Sequence, residues 1–301
     1  MAEPIALRGV LIKNEPMAKH VTWRAGGAAA RAYTPADRAD LAAFLASLPK
    51  GEPVCFVGLG SNLLVRDGGY RGTVVLMHNP HGAMQVEGDL IYAEAGVASP
   101  KVARFAATHG FEGSEFLAGV PGTIGGALAM NAGCYGAETW DVVAKVLTAS
   151  RAGTVRERVP SDFDIEYRHV ELRRPKLGED EWFLAGWFRF RAGDVKRSRE
   201  RINELLAQRI AEQPLDLPNA GSVFRNPPGY YAAQLIEACG LKGSEIGGAR
   251  ISEKHANFIV NPKGRARAAD IEALIAHACD TVKARFGVEL VPEVRIIGEA
   301  A

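Results

Sequence analysis

The sequence predicts an α+β protein of two or three units, and three observations carry that reading. Its 301 residues are too many for one small core. Strand-like segments dominate residues 82–190, whereas the chain after Arg191–Asp194 switches to apolar residues at helical spacing. Glycine, 33 residues in all, crowds into two windows, 58–72 and 110–136, where the backbone must bend sharply or approach something closely.

Residues 1–80 read as a small α/β unit. Leu41, Phe44, Leu45 and Leu48 recur at helical spacing up to Pro49, and PVCFVGL (53–59) is a buried strand running into a turn. Residues 81–192 form a strand-rich second unit. There QVEGDLIYAEAG predicts a hairpin about Gly88 and Asp89 with Val86, Leu90 and Tyr92 pointing inward. A short helix at 100–109 and a strand at WFLAGWFRF (182–190) follow. Residues 193–301 form a separate α+β unit. Ile202, Leu205, Leu206 and Ile210 make one face of its first helix, and YYAAQLIEACG is a second that ends on Gly240. Ile271, Leu274, Ile275, Ala278 and Val282 line a third, stopping before Gly287. HANFIVN (255–261) and VELVPEVRIIG (288–298) read as strands, the last able to pack back on the earlier units.

Charge excludes several functions. With 36 basic and 35 acidic residues the net charge is +1, which leaves no footprint for nucleic acid or an anionic membrane. No run approaches the roughly 18–20 apolar residues of a membrane helix, and MAEPIALRGVLIKNEP shows no export-signal pattern, so the cytoplasm is expected. Cys55, Cys134, Cys239 and Cys279 show no CxxC spacing and read as core residues of a reducing compartment. The histidines show no paired ligand spacing, so no metal is expected. No heptad or unexplained apolar helix face appears, and a monomer is expected.

The glycine windows suggest a ligand. VGLGSNLLVRDGG (57–69) places Gly58, Gly60, Ser61 and Asn62 after a strand, a pattern that can form an anion nest from successive backbone N–H groups. A dinucleotide-binding unit would need its third glycine at Leu63, and no P-loop Lys follows. A plain strand-to-loop turn remains open for this segment alone. GVPGTIGGALAMNAGCYGAET (119–139) is more telling: Gly119, Gly122, Gly125, Gly126 and Gly133 lie among small or apolar residues, and no charge appears before Glu138. Five glycines in fifteen residues imply a large flat cofactor on the backbone, with any diphosphate held by amides.

Three small groups could carry chemistry, and each has a plainer reading. Tyr167 and Arg168 follow the second window; Arg suits a carboxylate, but a surface ion pair explains a lone Arg equally. LDLPNAGSVFRNPPGYY (215–231) sets Asn219, Gly221, Ser222, Arg225 and Asn226 between prolines, where Ser222 could be a turn residue only. Glu293 follows Pro292 on the last predicted strand, a common place for a solvated carboxylate.

Together these segments resemble the UDP-N-acetylenolpyruvoylglucosamine reductase family of peptidoglycan biosynthesis, from about Asn14 to Gly298. The resemblance rests on TWRAGGAA (22–29), VGLGSNLLV (57–65), GVPGTIGGALAMNAGCYG (119–136), YR at 167–168, NAGSVFRNP (219–227), GLKGSEIGGARISEKHANFIVN (240–261) and VPEVRIIG (291–298). It implies an FAD-binding fold of the vanillyl-alcohol-oxidase and p-cresol-methylhydroxylase type in two subdomains, 1–80 and 81–192, with 193–301 binding substrate. It further implies non-covalent FAD, NADPH as electron donor and UDP-N-acetylglucosamine-enolpyruvate as substrate, in the service of cell-wall biogenesis, cell shape and division. Arg168, Ser222 and Glu293 match the family's catalytic Arg, Ser and Glu. Gly58, Gly60, Ser61, Asn62 and Leu63, with Gly119, Pro121, Gly122, Thr123, Gly125, Gly126, Ala132 and Gly133, match flavin-contacting segments. Tyr167, Arg225, Asn226 and His255 fall where substrate is contacted.

Two departures stand out. RFRAGDVKRSRE runs straight into helix where the larger class inserts a loop that closes a tyrosine over substrate, so the chain resembles the shorter second class. Val170 stands where the family often has Ser. In the implied mechanism Ser222 protonates C2 of the substrate, Arg168 meets the charge gathering on its carboxylate, and Glu293 completes the site. Two other functions stay open: another oxidase or dehydrogenase of the same flavin fold, and a flavin-free module that binds sugar nucleotides.

Overall fold

The computed structural model describes residues 7–301; the opening MAEPIA, part of the segment read above for an export signal, lies outside them. Along the chain come β1 (Val10–Pro16), β2 (Ala28–Thr34), α1 (Arg38–Ser47), β3 (Val54–Val57), β4 (Leu63–Val65), β5 (Tyr70–Leu76), β6 (Met84–Glu87), β7 (Leu90–Glu94), α2 (Ser99–Thr108) and β8 (Phe111–Glu112). Then follow α3 (Ile124–Met130), β9 (Gly133–Cys134), β10 (Ala137–Glu138), β11 (Val143–Ser150), β12 (Val155–Arg158), β13 (Phe163–Glu166), β14 (His169–Leu172), β15 (Glu181–Arg189) and β16 (Arg191–Ala192). The last third holds α4 (Val195–Glu212), α5 (Ala232–Ala238), β17 (Glu245–Ile246), β18 (Ala249–Ile251), β19 (Ile259–Val260), α6 (Ala268–Phe286) and β20 (Arg295–Ile297).

By compactness the chain divides into two units. One comprises the described residues up to Lys13, Arg31–Gly58 and Gly72–Ala207; the other comprises Asn14–Ala30, Leu59–Arg71 and Gln208–Ala301. This partition is discontinuous, where the sequence pattern suggests consecutive blocks meeting near residues 80 and 192.

The first unit is built on a five-stranded antiparallel sheet in the order β12-β11-β15-β7-β6. Its central strand, β15, is buried at every position but Arg189. A strand covered on both faces needs a near-continuous apolar run, here residues 182–188, so no alternation shows. Phe183 and Phe188 pack with Val102, Ala106, Leu117 and Leu128 of α2, α3 and the segment between them. Trp182 and Leu184 point the other way, to Tyr33, Leu41, Phe44 and Val75. Tyr92 is 6% exposed as expected, but Val86 is 42% exposed because β6 is the sheet's edge.

The second unit packs α5 and α6 around the small antiparallel sheet β17-β18-β19, with β20 running parallel to β4. Trp23, Leu64, Val223, Phe224, Ile236, Leu274 and Val282 share its core. Asp67 caps α6 from 201 residues away: its two carboxylate oxygens accept from Ala268 N at 3.0 Å and Ala269 N at 2.9 Å. The helix ends on Gly287 at φ +67, the left-handed stop that glycine adopts without strain.

Some expected strands shrink. HANFIVN is ordered as strand only at Ile259–Val260, because Phe258 N turns back to His255 O. In VELVPEVRIIG only Arg295–Ile297 is strand; Pro292 has no N–H, and it makes a single bridge to Phe224. On α4, Ile202 and Leu205 are buried while Ile210 is 62% exposed near the helix end. Among the described residues no helix is long and apolar enough to cross a membrane, and no His, Cys, Asp and Glu group could hold a metal ion.

Candidate functional site

In the first unit the two glycine windows touch. A Cβ on Gly58 would lie 2.2 Å from Thr123 Oγ1, so this contact exists only because Gly58 has no side chain. Thr123 precedes α3, a helix the sequence pattern misses because glycine is a poor helix former. Tertiary bonds hold its start: Ser99 N donates to Gly122 O at 3.0 Å, Ile124 N to Val97 O at 2.8 Å and Gly125 N to Ala95 O at 2.8 Å. Two of the amides available to a diphosphate are therefore spent inside the protein. Gly119 is buried against Cys134 and Tyr135, and the Ala132 carbonyl accepts from Thr139 N and Oγ1. Gly126 differs, because it is exposed and nothing lies within 4 Å of where its Cβ would be. Pro121 is also exposed. Beside this loop the fully buried Ser99 Oγ has no hydrogen-bond partner.

Arg168 sits in the two-residue turn between β13 and β14, where Glu166 pairs with His169. Its φ of +56 is a conformation that such turns usually give to glycine or asparagine. Its Nη1 donates to Asn131 O at 3.1 Å and its Nη2 to Gly133 O at 2.7 Å. Glu138 Oε1 lies 3.7 Å away, and the guanidinium stands 5.0 Å from the Tyr167 ring. A guanidinium carries five N–H donors, so holding two carbonyls is compatible with gripping a carboxylate as well. Val170 is buried opposite Ile165 and is part of the core.

The second unit assembles the other candidates. Gly60 takes φ +64, and a Cβ there would fall 2.1 Å from His20 O. Its carbonyl accepts from Thr22 N at 3.1 Å. Ser61 and Asn62 are half-buried, and Leu63 begins β4. Asn62 Nδ2 donates to Glu293 O at 3.1 Å, and Asn62 O accepts from Arg295 N at 3.0 Å. Glu293 N in turn donates to Val223 O at 2.7 Å, next to Ser222. On its other side this segment is held by Asn257, which accepts Phe224 N on Oδ1, donates Nδ2 to Phe224 O and accepts Val223 N on its own carbonyl, all at 2.9 Å.

Arg225 N bonds Val291 O at 3.0 Å, while its Nε is buried with no hydrogen-bond partner. Asn226 Oδ1 accepts from Ala232 N at 3.1 Å and so shapes the start of α5. His255 is half-buried, and burial lowers its pKa, which favours the neutral ring. Its Nδ1 lies 3.3 Å from Asn257 N, which places the proton of the neutral ring on Nε2.

The candidates are thus shared between the units. Arg168, Tyr167, Gly58 and the 119–133 loop belong to the first, and Gly60 to Leu63, Ser222, Arg225, Asn226, His255 and Glu293 to the second. The residues that sequence reasoning misses are the ones that hold the candidates in place: Asn131, Glu138 and Asn257. Their signal is present, since Asn131 and Asn257 interrupt apolar runs and are 3% and 4% exposed. A buried amide must find partners: Asn257 binds backbone, and Asn131 binds backbone and the Glu138 carboxylate.

Two family models match the chain. Residues 29–158 fit an FAD binding domain, and residues 213–297 fit the C-terminal domain of UDP-N-acetylenolpyruvoylglucosamine reductase. The UDP-N-acetylenolpyruvoylglucosamine reductase of Thiobacillus denitrificans is 57% identical, with 97% of this chain and 94% of that protein covered. The one from Nitrosospira multiformis is 55% identical, with 98% and 90% covered. The crystal structure of the Thermus caldophilus reductase matches with a TM-score of 0.80 at 29% identity, over 97% of this chain and 99% of that one. The fold is therefore an FAD-binding α+β fold joined to that C-terminal domain, and the chain belongs to the UDP-N-acetylenolpyruvoylglucosamine reductase family.

Proposed function

We propose that this protein reduces UDP-N-acetylglucosamine-enolpyruvate to UDP-N-acetylmuramate, with non-covalent FAD as cofactor and NADPH as electron donor. In this reading residues 1–80 and 81–192 supply the flavin-binding subdomains and 193–301 the substrate-binding part, in a cytoplasmic monomer. The observation that carries it is the chain of bonds from Asn62 to Glu293 to Val223, which ties a flavin-loop residue, the Glu and the segment of Ser222 into one frame.

The glycine face fits a flavin. Gly126 is open where a side chain would stand, and the unpartnered Ser99 hydroxyl lies beside the loop. Gly58, Gly119, Gly122, Gly125, Gly126 and Gly133, with Pro121, Thr123 and Ala132, would hold it together with Gly60, Ser61, Asn62 and Leu63. Bound FAD supplies the passage of hydride from NADPH to C3 of the enolpyruvyl group.

The protein's own residues do the rest. As C3 gains hydride, negative charge collects at C2 and spreads onto the substrate carboxylate. Arg168, already oriented by two carbonyls, stabilises that charge without having to reorganise. Ser222 Oγ gives its proton to C2, which a weakly acidic hydroxyl can do only toward so basic a carbon. Glu293 completes the carboxylate's surroundings, and Tyr167, Arg225, Asn226 and His255 contact the rest of the sugar nucleotide.

Anaerobic stopped-flow spectroscopy tests the whole reading. NADPH should bleach the flavin, the enolpyruvyl sugar nucleotide should restore its colour, and mass spectrometry should find UDP-N-acetylmuramate. Reoxidation faster with oxygen than with substrate would point to an oxidase instead. A colourless protein that FAD cannot reconstitute would end the enzyme reading.

A further inference from the structure

Glu138 is the first charge after the glycine-rich run, and its surroundings are specific. β9 and β10 pair with Glu138 opposite Gly133, so strand register brings it beside the carbonyl that holds Arg168 Nη2. One carboxylate oxygen lies 3.7 Å from Arg168 Nη1, and the other accepts from Asn131 Nδ2 at 2.8 Å. Asn131 is fully engaged. Its Nδ2 also donates to Glu166 O at 3.1 Å, its Oδ1 accepts from Trp140 N at 3.1 Å, and its carbonyl accepts from Arg168 Nη1. One buried amide thus joins the end of α3, the Glu138 carboxylate and the turn that carries Arg168.

Two residues of this network hold backbone conformations that side chains rarely take, Asn131 at φ +43 and Arg168 at φ +56. Such geometry persists only where surrounding contacts over-determine it, and it clusters at functional sites. The charges are also sheltered, the Arg168 side chain being 16% and that of Glu138 31% exposed, so water screens the pair less than a surface bridge.

We infer that Glu138 is a positioning residue for Arg168: pinned by Asn131, its carboxylate sets the orientation of the guanidinium without touching substrate. The inference rests on the reading of Arg168 as the group that meets the substrate carboxylate. Glu138→Gln is a mild probe, because Gln keeps an acceptor for Asn131 and nearly the same shape while losing the charge.

The experiment compares Glu138→Gln, Arg168→Lys and the double variant, all as flavin-loaded full-length protein. In Glu138→Gln, reoxidation by the enolpyruvyl sugar nucleotide should slow on the order of tenfold through kcat, with bleaching by NADPH and melting temperature unchanged. In the Arg168→Lys background the same change should cost about twofold or less. Glu138→Asp, which keeps the charge, should recover most of the rate, and Glu138→Ala replaces Glu138→Gln should the latter fold poorly. If Glu138→Gln costs the same factor in both backgrounds, or slows both half-reactions together, Glu138 is only structural and the inference fails while the role of Arg168 stands. If Arg168→Lys alone leaves reoxidation unchanged, the reading of Arg168 fails and takes the inference with it.

Discussion

Asn257 serves Phe224 as a neighbouring strand would, its side-chain amide giving one hydrogen bond to the Phe224 carbonyl and taking one from the Phe224 N–H, both at 2.9 Å. The segment carrying Ser222 lies between prolines and lacks a full ladder, so this amide replaces the missing strand. Asn257→Ala would orphan a buried N–H and a buried C=O, at a cost of about 2–4 kcal/mol. Urea unfolding followed by fluorescence measures it; a loss under about 0.5 kcal/mol would show that the clamp matters little.

Ser222→Ala separates chemistry from structure. Bleaching of the flavin by NADPH should keep its rate, while reoxidation by the enolpyruvyl substrate should fall by roughly 10²–10⁴-fold. Equal slowing of both half-reactions would make Ser222 a turn residue.

Gly60 and Gly126 should respond to alanine in opposite ways. At Gly60 the new Cβ meets the His20 carbonyl from a left-handed backbone, so Gly60→Ala should lower both melting temperature and bound flavin. Gly126 is helical with open space around it, so Gly126→Ala should stabilise the flavin-free protein by ~0.5–1 kcal/mol. The same methyl would stand on the face proposed for FAD, so flavin affinity should drop. Calorimetry of the flavin-free protein and a flavin titration decide, and unchanged affinity would move the flavin off that face.

Acid should weaken the first unit through Glu181, which is fully buried. Burial opposes its ionisation, but the Arg158 fork, with both bonds at 3.0 Å, and the Thr148 hydroxyl outweigh that and hold its pKa below the usual 4.5. A depressed folded pKa contributes stability that is complete above the unfolded value and is lost as pH falls through the folded one. Glu181→Gln should therefore be less stable at neutral pH, with the difference shrinking below about pH 4.5. Unfolding curves across that range check the sign, and a gap that widens in acid would reverse the argument.

Helices α1, α4, α5 and α6 and the core strand β15 follow from local pattern, because apolar spacing, a proline stop at Pro49 and glycine stops at Gly240 and Gly287 act within a few residues. The candidate site is legible to the same depth. Its glycine windows, Arg168, Ser222 and Glu293 are marked by residue type and motif. Helix α3 is not, since it starts on bonds to Ala95 and Val97 that no local pattern encodes.

By itself, then, the sequence determined most of the helices and the core strand, the family and the residue types that could do the chemistry. Only the tertiary structure decided which backbone groups those residues answer to: Asn62 holds Glu293 across 231 positions, Asn257 holds Phe224 across 33, and Asn131 and Glu138 surround Arg168. The physical reason is the obligation of buried polar groups to find partners. It is satisfied by whatever the fold brings near, and separation along the chain carries no trace of it.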